Sequence, residues 1–181
     1  MRKGVDNDEF SKRAFRIQQA FWGDNCKITY DQQKSLTTEL KTALQTIRER
    51  IRQENSKAEK VVKQFSSDDR WDSAGLKNEL YALMKLISMD CSEAMRSYAS
   101  QILQNSVEML LVKPPCSFTA GAIGSLAKGE ATPYSDLEYF FLIKNKNPTT
   151  INYFDLLAVT SNIFIGNLGE SILSYMAFVE L

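Results

Sequence analysis

Apolar residues recur at helical spacing as far as Leu111, then switch to strand-like alternation after Lys113-Pro114-Pro115-Cys116. Phe10, Ala14, Ile17 and Phe21 fall three or four positions apart, which predicts a helix from Asp8 to Trp22. Asp6, Asn7 and Asp8 supply capping oxygens, and Gly23-Asp24-Asn25 ends the helix. Thr29-Tyr30-Asp31-Gln32 fits a capping box for a second helix. Behind it Leu36, Leu40, Leu44, Ile47, Ile51, Ala58, Val61 and Phe65 form an apolar stripe, heptad-like from Leu40 and interrupted at Glu54. Ser66-Ser67-Asp68-Asp69-Arg70 is a polar break, with Trp71 placed to pin the turn. A third helix follows from Ser73 to Leu111, with Leu76, Leu80, Leu83, Ile87, Cys91, Met95, Tyr98 and Ile102 on one face. Met84, Met89, Met95 and Met109 read as soft core filling. The matched lengths of the second and third helices predict an antiparallel hairpin rather than an extended coiled-coil dimer.

Two consecutive prolines cannot continue a helix, so Pro114-Pro115 marks a change of architecture. A strand is expected from Phe118 to Ile123 and another from Leu137 to Ile143. Between them lie a Gly-Ser turn, a short helical segment and a Pro-containing loop. Lys144-Asn145-Lys146-Asn147-Pro148 is a polar turn. Thr149 or Thr150 then caps a helix carrying Ile151, Phe154, Leu157, Ala158 and the run from Ile163 to Ile165. Gly166-Asn167-Leu168-Gly169 breaks it, and Ile172 to Val179 is an apolar tail without an assigned form. The resulting class is α+β: a helical region at 1–113 and a sheet-bearing region at 114–181.

Composition narrows the chemistry. Lysine plus arginine and aspartate plus glutamate number 22 each, so no global field attracts nucleic acid or an anionic membrane. Arg48, Arg50 and Arg52 form the one local basic cluster, which reads as the solvated face of a long helix rather than a nucleic-acid surface. No apolar run has the length of a membrane span, and Met1-Arg2-Lys3-Gly4-Val5-Asp6 lacks the apolar core of a secretory signal, so a cytoplasmic location is expected. Cys26, Cys91 and Cys116 are too widely spaced for a disulfide framework or a zinc motif. The chain contains no histidine, which removes Ser-His and Cys-His nucleophiles and histidine metal sites. Catalysis would rest on carboxylates, lysines and metal, a set suited to phosphoryl transfer.

One stretch carries such a set: Gly124-Ser125-Leu126-Ala127-Lys128-Gly129-Glu130-Ala131-Thr132-Pro133-Tyr134-Ser135-Asp136-Leu137-Glu138. Alternate residues of a strand share a face, so Asp136 and Glu138 are expected on one side with Leu137 buried on the other. Two carboxylates so close repel unless a cation lies between them. Mg²⁺ takes one or two carboxylates plus substrate phosphates. Gly124 permits close backbone approach to a ligand. Ser125 offers a hydroxyl and an N–H to a phosphate, and Lys128 offers a point charge.

Gly124-Ser125, ten residues, then Asp136-Leu137-Glu138 resembles the signature of the nucleotidyltransferase superfamily related to DNA polymerase beta. The wider string, Gly-Ser-Leu-Ala-Lys-Gly-Glu followed by Pro-Tyr-Ser-Asp-Leu-Glu, is similar to the protein-PII uridylyltransferase group and nucleotidyltransferases related to it. The resemblance is strongest from Thr119 to Ile143 and implies a mixed-sheet core. It implies that Gly124 and Ser125 hold the triphosphate of an NTP, and that Asp136 and Glu138 are catalytic and bind Mg²⁺ or Mn²⁺. In the closer relatives UTP is the donor and a protein tyrosine hydroxyl the acceptor. Here the acceptor stays open between a protein and a small-molecule hydroxyl.

The same resemblance calls for a third carboxylate on a later strand. Asp155 falls in a predicted helix, Glu170 follows Gly169 in an Asn-Leu-Gly-Glu segment, and Glu180 is next to the last residue. None fits that place, so a truncated core is expected. The PII-sensing and histidine-rich hydrolase regions of full uridylyltransferases are not found, which weighs against PII as substrate. The alternative is an inactive helical interaction module carrying a degenerate remnant of the core. Helix-mediated self-association is compatible with either.

Overall fold

The computed structural model describes residues 7–66, 74–170 and 178–180. The order of elements is α1 (Asn7–Trp22), α2 (Tyr30–Ser66), α3 (Ala74–Met109), β1 (Phe118–Ala122), α4 (Gly124–Lys128), β2 (Tyr139–Ile143), α5 (Pro148–Asn167) and β3 (Phe178–Glu180). A single 3₁₀ turn, Gly23–Asn25, follows α1. The architecture is α+β and mostly helical. The predicted break at 67–70 and the role of Trp71 lie outside the described residues. No described helix is long and apolar enough to cross a membrane.

The predicted capping box forms. Gln32 N–H donates to Thr29 Oγ1 (3.2 Å), and Thr29 N–H donates to Gln32 Oε1 (2.9 Å). α2 and α3 run antiparallel. The Tyr98 hydroxyl donates to the Leu40 carbonyl (3.1 Å), and Arg50 pairs with Asp90 (3.2 Å), so positions climb on α2 as they descend on α3. Leu40, Leu44, Ile51 and Ala58 meet Ile87, Cys91, Met95, Tyr98 and Ile102 in this seam.

Three details of the helical reading are corrected. Ile17 and Phe21 are exposed, and α1 instead buries Phe15 and Trp22. Gln18 lies on that inner face and donates to Asn167 Oδ1 (2.9 Å) while accepting from Gln33 (2.7 Å), so a polar residue interrupts the pattern. Trp22 Nε1–H donates to Thr160 Oγ1 (3.1 Å), tying α1 to α5. Val61 is exposed and Val62 half-buried, a shift of the stripe beyond the interruption at Glu54. Met95 and Met109 are core residues, but Met84 and Met89 are exposed.

β1 and β2 pair antiparallel from Phe118↔Ile143 to Ala122↔Tyr139. The ladder is prolonged by Ile123 N–H donating to the Glu138 carbonyl (3.0 Å). β2 buries Tyr139, Phe141 and Ile143 and leaves Phe140 and Leu142 half-buried, the period of two expected of a strand. Phe118, Phe141 and Phe154 stack at edge-to-face or tilted angles, with centroids 4.9–5.9 Å apart, so α5 covers one sheet face. α5 is capped by Asn147, whose Oδ1 accepts from Thr150 N–H (3.0 Å), rather than by Thr149 or Thr150.

The expectation of a core without a third strand is also corrected. β3 pairs parallel with β2, Phe141↔Phe178 to Ile143↔Glu180, giving a mixed sheet of order β1-β2-β3. Three residues are too few for alternation to mark a strand in sequence. A single buried cluster runs from Trp22 and Leu40 through Ile102 to Leu126 and Phe154, so one core crosses Lys113.

Candidate functional site

The Gly124–Glu138 stretch leaves β1, turns through α4 and a loop, and returns as β2. Gly124 opens α4 with φ 61°, a conformation that L side chains rarely adopt. The carboxylate of Glu138 lies directly over it: a Cβ on residue 124 would collide with Glu138 Oε2. The two ends of the motif, fourteen positions apart in sequence, therefore meet in space.

Glu138 stands immediately before β2, where its carbonyl prolongs the ladder, and Asp136 precedes it outside the strand. Glu138 N–H donates to the Asp136 carbonyl (3.2 Å), closing a tight turn around Leu137. Burial still alternates: Asp136 is exposed, Leu137 buried and Glu138 half-buried. Neither carboxylate takes part in an ion pair or side-chain hydrogen bond among the described residues. Both retain lone pairs for a cation, and oxygen ligands of this kind suit Mg²⁺ or Mn²⁺.

Ser125 is half-buried, and its carbonyl accepts from Gly129 N–H and from Glu130 N–H (2.9 Å). Those bonds close α4 at Gly129, which has φ 75°. Lys128, one turn beyond Gly124, is exposed and faces a groove between α4 and α3.

The helices hold this loop through residues that the pattern of apolar positions did not single out. The Ser88 hydroxyl donates to the Gly129 carbonyl (2.9 Å). Ser92, fully buried, accepts from Ala131 N–H (2.9 Å) and donates to the Ser88 carbonyl (2.9 Å). Arg96 donates to the Leu126 carbonyl (2.9 Å). Ser88, Ser92 and Arg96 recur every four residues on α3, a polar stripe that could have signalled a docked loop.

From the other side comes Arg48 of α2. Its Nε donates to the Pro133 carbonyl (3.0 Å), and its guanidinium lies 4.6 Å from the centre of the Tyr134 ring. Its Nη2 contacts both oxygens of Glu170 (2.9 and 3.0 Å). The cluster read as a solvated basic face is thus paired throughout: Arg48 with Glu170, Arg50 with Asp90, Arg52 with Glu49. The Thr132–Ser135 turn is closed by Thr132 N–H donating to Ser135 Oγ (2.8 Å) and Ser135 N–H donating to the Thr132 carbonyl (3.0 Å).

No described acidic residue joins Asp136 and Glu138 as a third ligand, and no three His, Cys, Asp or Glu side chains converge among the described residues. Asp155 is exposed on α5, and Glu170 is held by Arg48. Glu180 stands in register with Ile143, five positions along β2 from Glu138, or roughly 16 Å at the rise of a strand.

Comparison with protein-family models, curated proteins and solved structures finds no match for this chain.

Proposed function

We propose that the chain is a metal-dependent nucleotidyltransferase that moves a nucleoside monophosphate from an NTP to a hydroxyl, with release of pyrophosphate. The observation that carries this reading is the Glu138 carboxylate lying over Gly124, with Asp136 two residues before it and neither carboxylate otherwise engaged. Asp136 and Glu138 would hold Mg²⁺ or Mn²⁺, which supplies neutralisation of triphosphate charge and polarisation of the reacting phosphate. Gly124 would leave room for the Glu138 carboxylate and the metal it holds beside the triphosphate, the Ser125 hydroxyl would bind a phosphate oxygen, and Lys128 would balance its charge. The resemblance to protein-PII uridylyltransferases favours UTP as donor and a protein tyrosine as one acceptor class, beside small-molecule hydroxyls.

A second reading, an inactive helical interaction module with a nucleotidyltransferase-like remnant, is favoured by one observation. Glu170 is tied to Arg48, and the backbone of residue 180 is in register with the far end of β2 from Glu138.

The test is transfer of label from each of the four α-³²P-NTPs, with Mg²⁺ or Mn²⁺, to a tyrosine-, serine- and threonine-containing peptide library and to the chain itself. Metal-dependent labelling that is lost in Asp136→Ala and Glu138→Ala supports transfer. Absence of labelling with every NTP supports the inactive module, and labelling that persists in both variants shows that Asp136 and Glu138 do not carry the transfer.

A further inference from the structure

The outer face of α3 carries a set of exposed apolar side chains that the core does not use. Tyr81 is 70% exposed, Leu86 65% and Met89 50%. They lie along a groove of 860 Å³ between α3 and the end of α4. Exposed apolar side chains gathered in one groove mark an interaction surface more often than scattered ones do.

The charges beside them are what identify the occupant. Lys85 and Glu93 lie four residues before and four residues after Met89. At about 100° per residue they project about 40° to either side of Met89, on the same outward face. Both are exposed, and neither has an ion-pair partner among the described residues. They are about 12 Å apart along the helix axis, too far to neutralise each other within one chain. A two-fold axis through Met89 changes this. Two antiparallel copies of α3 then set Lys85 of each against Glu93 of the other, making two identical pairs. A surface that complements its own two-fold image is what an isologous interface requires.

We infer that this face of α3 binds a second copy of the chain, as an antiparallel α3–α3 pair centred on Met89. Met89 and Leu86 supply the apolar contact. The Lys85–Glu93 pairs set register and direction, the usual contribution of exposed charges at an interface. The inference does not rest on nucleotidyl transfer, although Lys128 of the proposed nucleotide site lines the same groove.

Sedimentation velocity over a concentration series reads the association. The wild type is expected to dimerise. Lys85→Glu and Glu93→Lys each place like charges opposite one another twice, and each is expected to weaken the dimer at least tenfold. The double variant Lys85→Glu/Glu93→Lys restores both pairs and is expected to recover the wild-type dimer. Circular dichroism checks that these surface variants remain folded. Met89→Cys supplies an independent readout: on the axis, it is expected to form a reducible dimer on mild oxidation, beyond any formed by the wild type through Cys26, Cys91 or Cys116. A wild type that stays monomeric at several hundred micromolar overturns the inference and leaves the groove to another partner. A dimer insensitive to both charge reversals, or no cross-link at position 89 beyond the wild type, overturns it as well.

Discussion

The Glu138 carboxylate occupies the space that any side chain on residue 124 would need. Gly124 is fixed by its φ of 61°, and the acidic group above it is the mobile end of a side chain that a Cβ would push aside. Replacing it with alanine adds left-handed strain and displaces the Glu138 carboxylate. Gly124→Ala is expected to cost roughly 1–3 kcal/mol of stability. Gly23 shares the positive φ, at 54°, but has open space where its Cβ would go. Gly23→Ala therefore meets the strain alone, so urea denaturation should show losses of similar size for the two, while only Gly124→Ala displaces Glu138.

Arg48 joins α2 to both the Pro133-Tyr134 loop and the end of α5. Arg48→Ala removes a half-buried ion pair, a hydrogen bond and a ring contact, and is expected to cost roughly 1–3 kcal/mol. Arg48→Lys keeps the charge but lacks the planar fork, so it should recover only part of that. A double-mutant cycle of Arg48→Ala with Glu170→Ala, read by urea denaturation, should give a coupling on the order of 1 kcal/mol.

Burial raises three phenols above their ordinary range. Tyr139 is pushed up to about 12, and Tyr98 and Tyr153 are raised in the same direction, with the Glu170 carboxylate adding to the effect at Tyr98. The Tyr139 hydroxyl is buried without a hydrogen-bond partner among the described residues, although the Ser161 hydroxyl lies near it. An unfolded tyrosine ionises near 10. The folded state therefore holds the Tyr139 proton more tightly, and the stability linked to it is complete below pH ~10 and is lost as pH rises toward 12. Absorbance at 295 nm should show late-titrating tyrosines in the native protein and not in urea. Tyr139→Phe should remove one of them and leave neutral-pH stability unchanged or raised, because it deletes a buried hydroxyl without a partner.

Asn147 caps α5. Asn147→Ala should cost about 1 kcal/mol and Thr149→Ala much less, as measured by thermal unfolding.

The long helices were legible because their buried positions repeat over many turns. Thr29 and Gln32 announced α2, and Leu40 to Ile51 announced its seam with Ile87 to Ile102. Legibility failed where a polar residue did structural work inside an apolar face, as Gln18 does on α1. It failed at Arg48, because a charged residue on a charged helix gives no sign of a partner 122 positions away. β3 was hidden because three residues carry no period. At the candidate site, the residue types and their spacing were legible, but the positive φ of Gly124 and the approach of Glu138 to it were not. The supports on α3 were not, since Ser88, Ser92 and Arg96 act through backbone carbonyls and an N–H whose positions only the fold determines.

Thermal stability with Mg²⁺ or Mn²⁺ and each of the four NTPs, for the wild type and Asp136→Ala, is the most direct measurement of the proposed site. A ligand that binds the folded state alone raises the melting temperature by mass action. The expected result is a rise that requires metal and nucleotide together and is lost in Asp136→Ala. No rise with any NTP, in protein shown to be folded, would contradict a working nucleotide site in this chain.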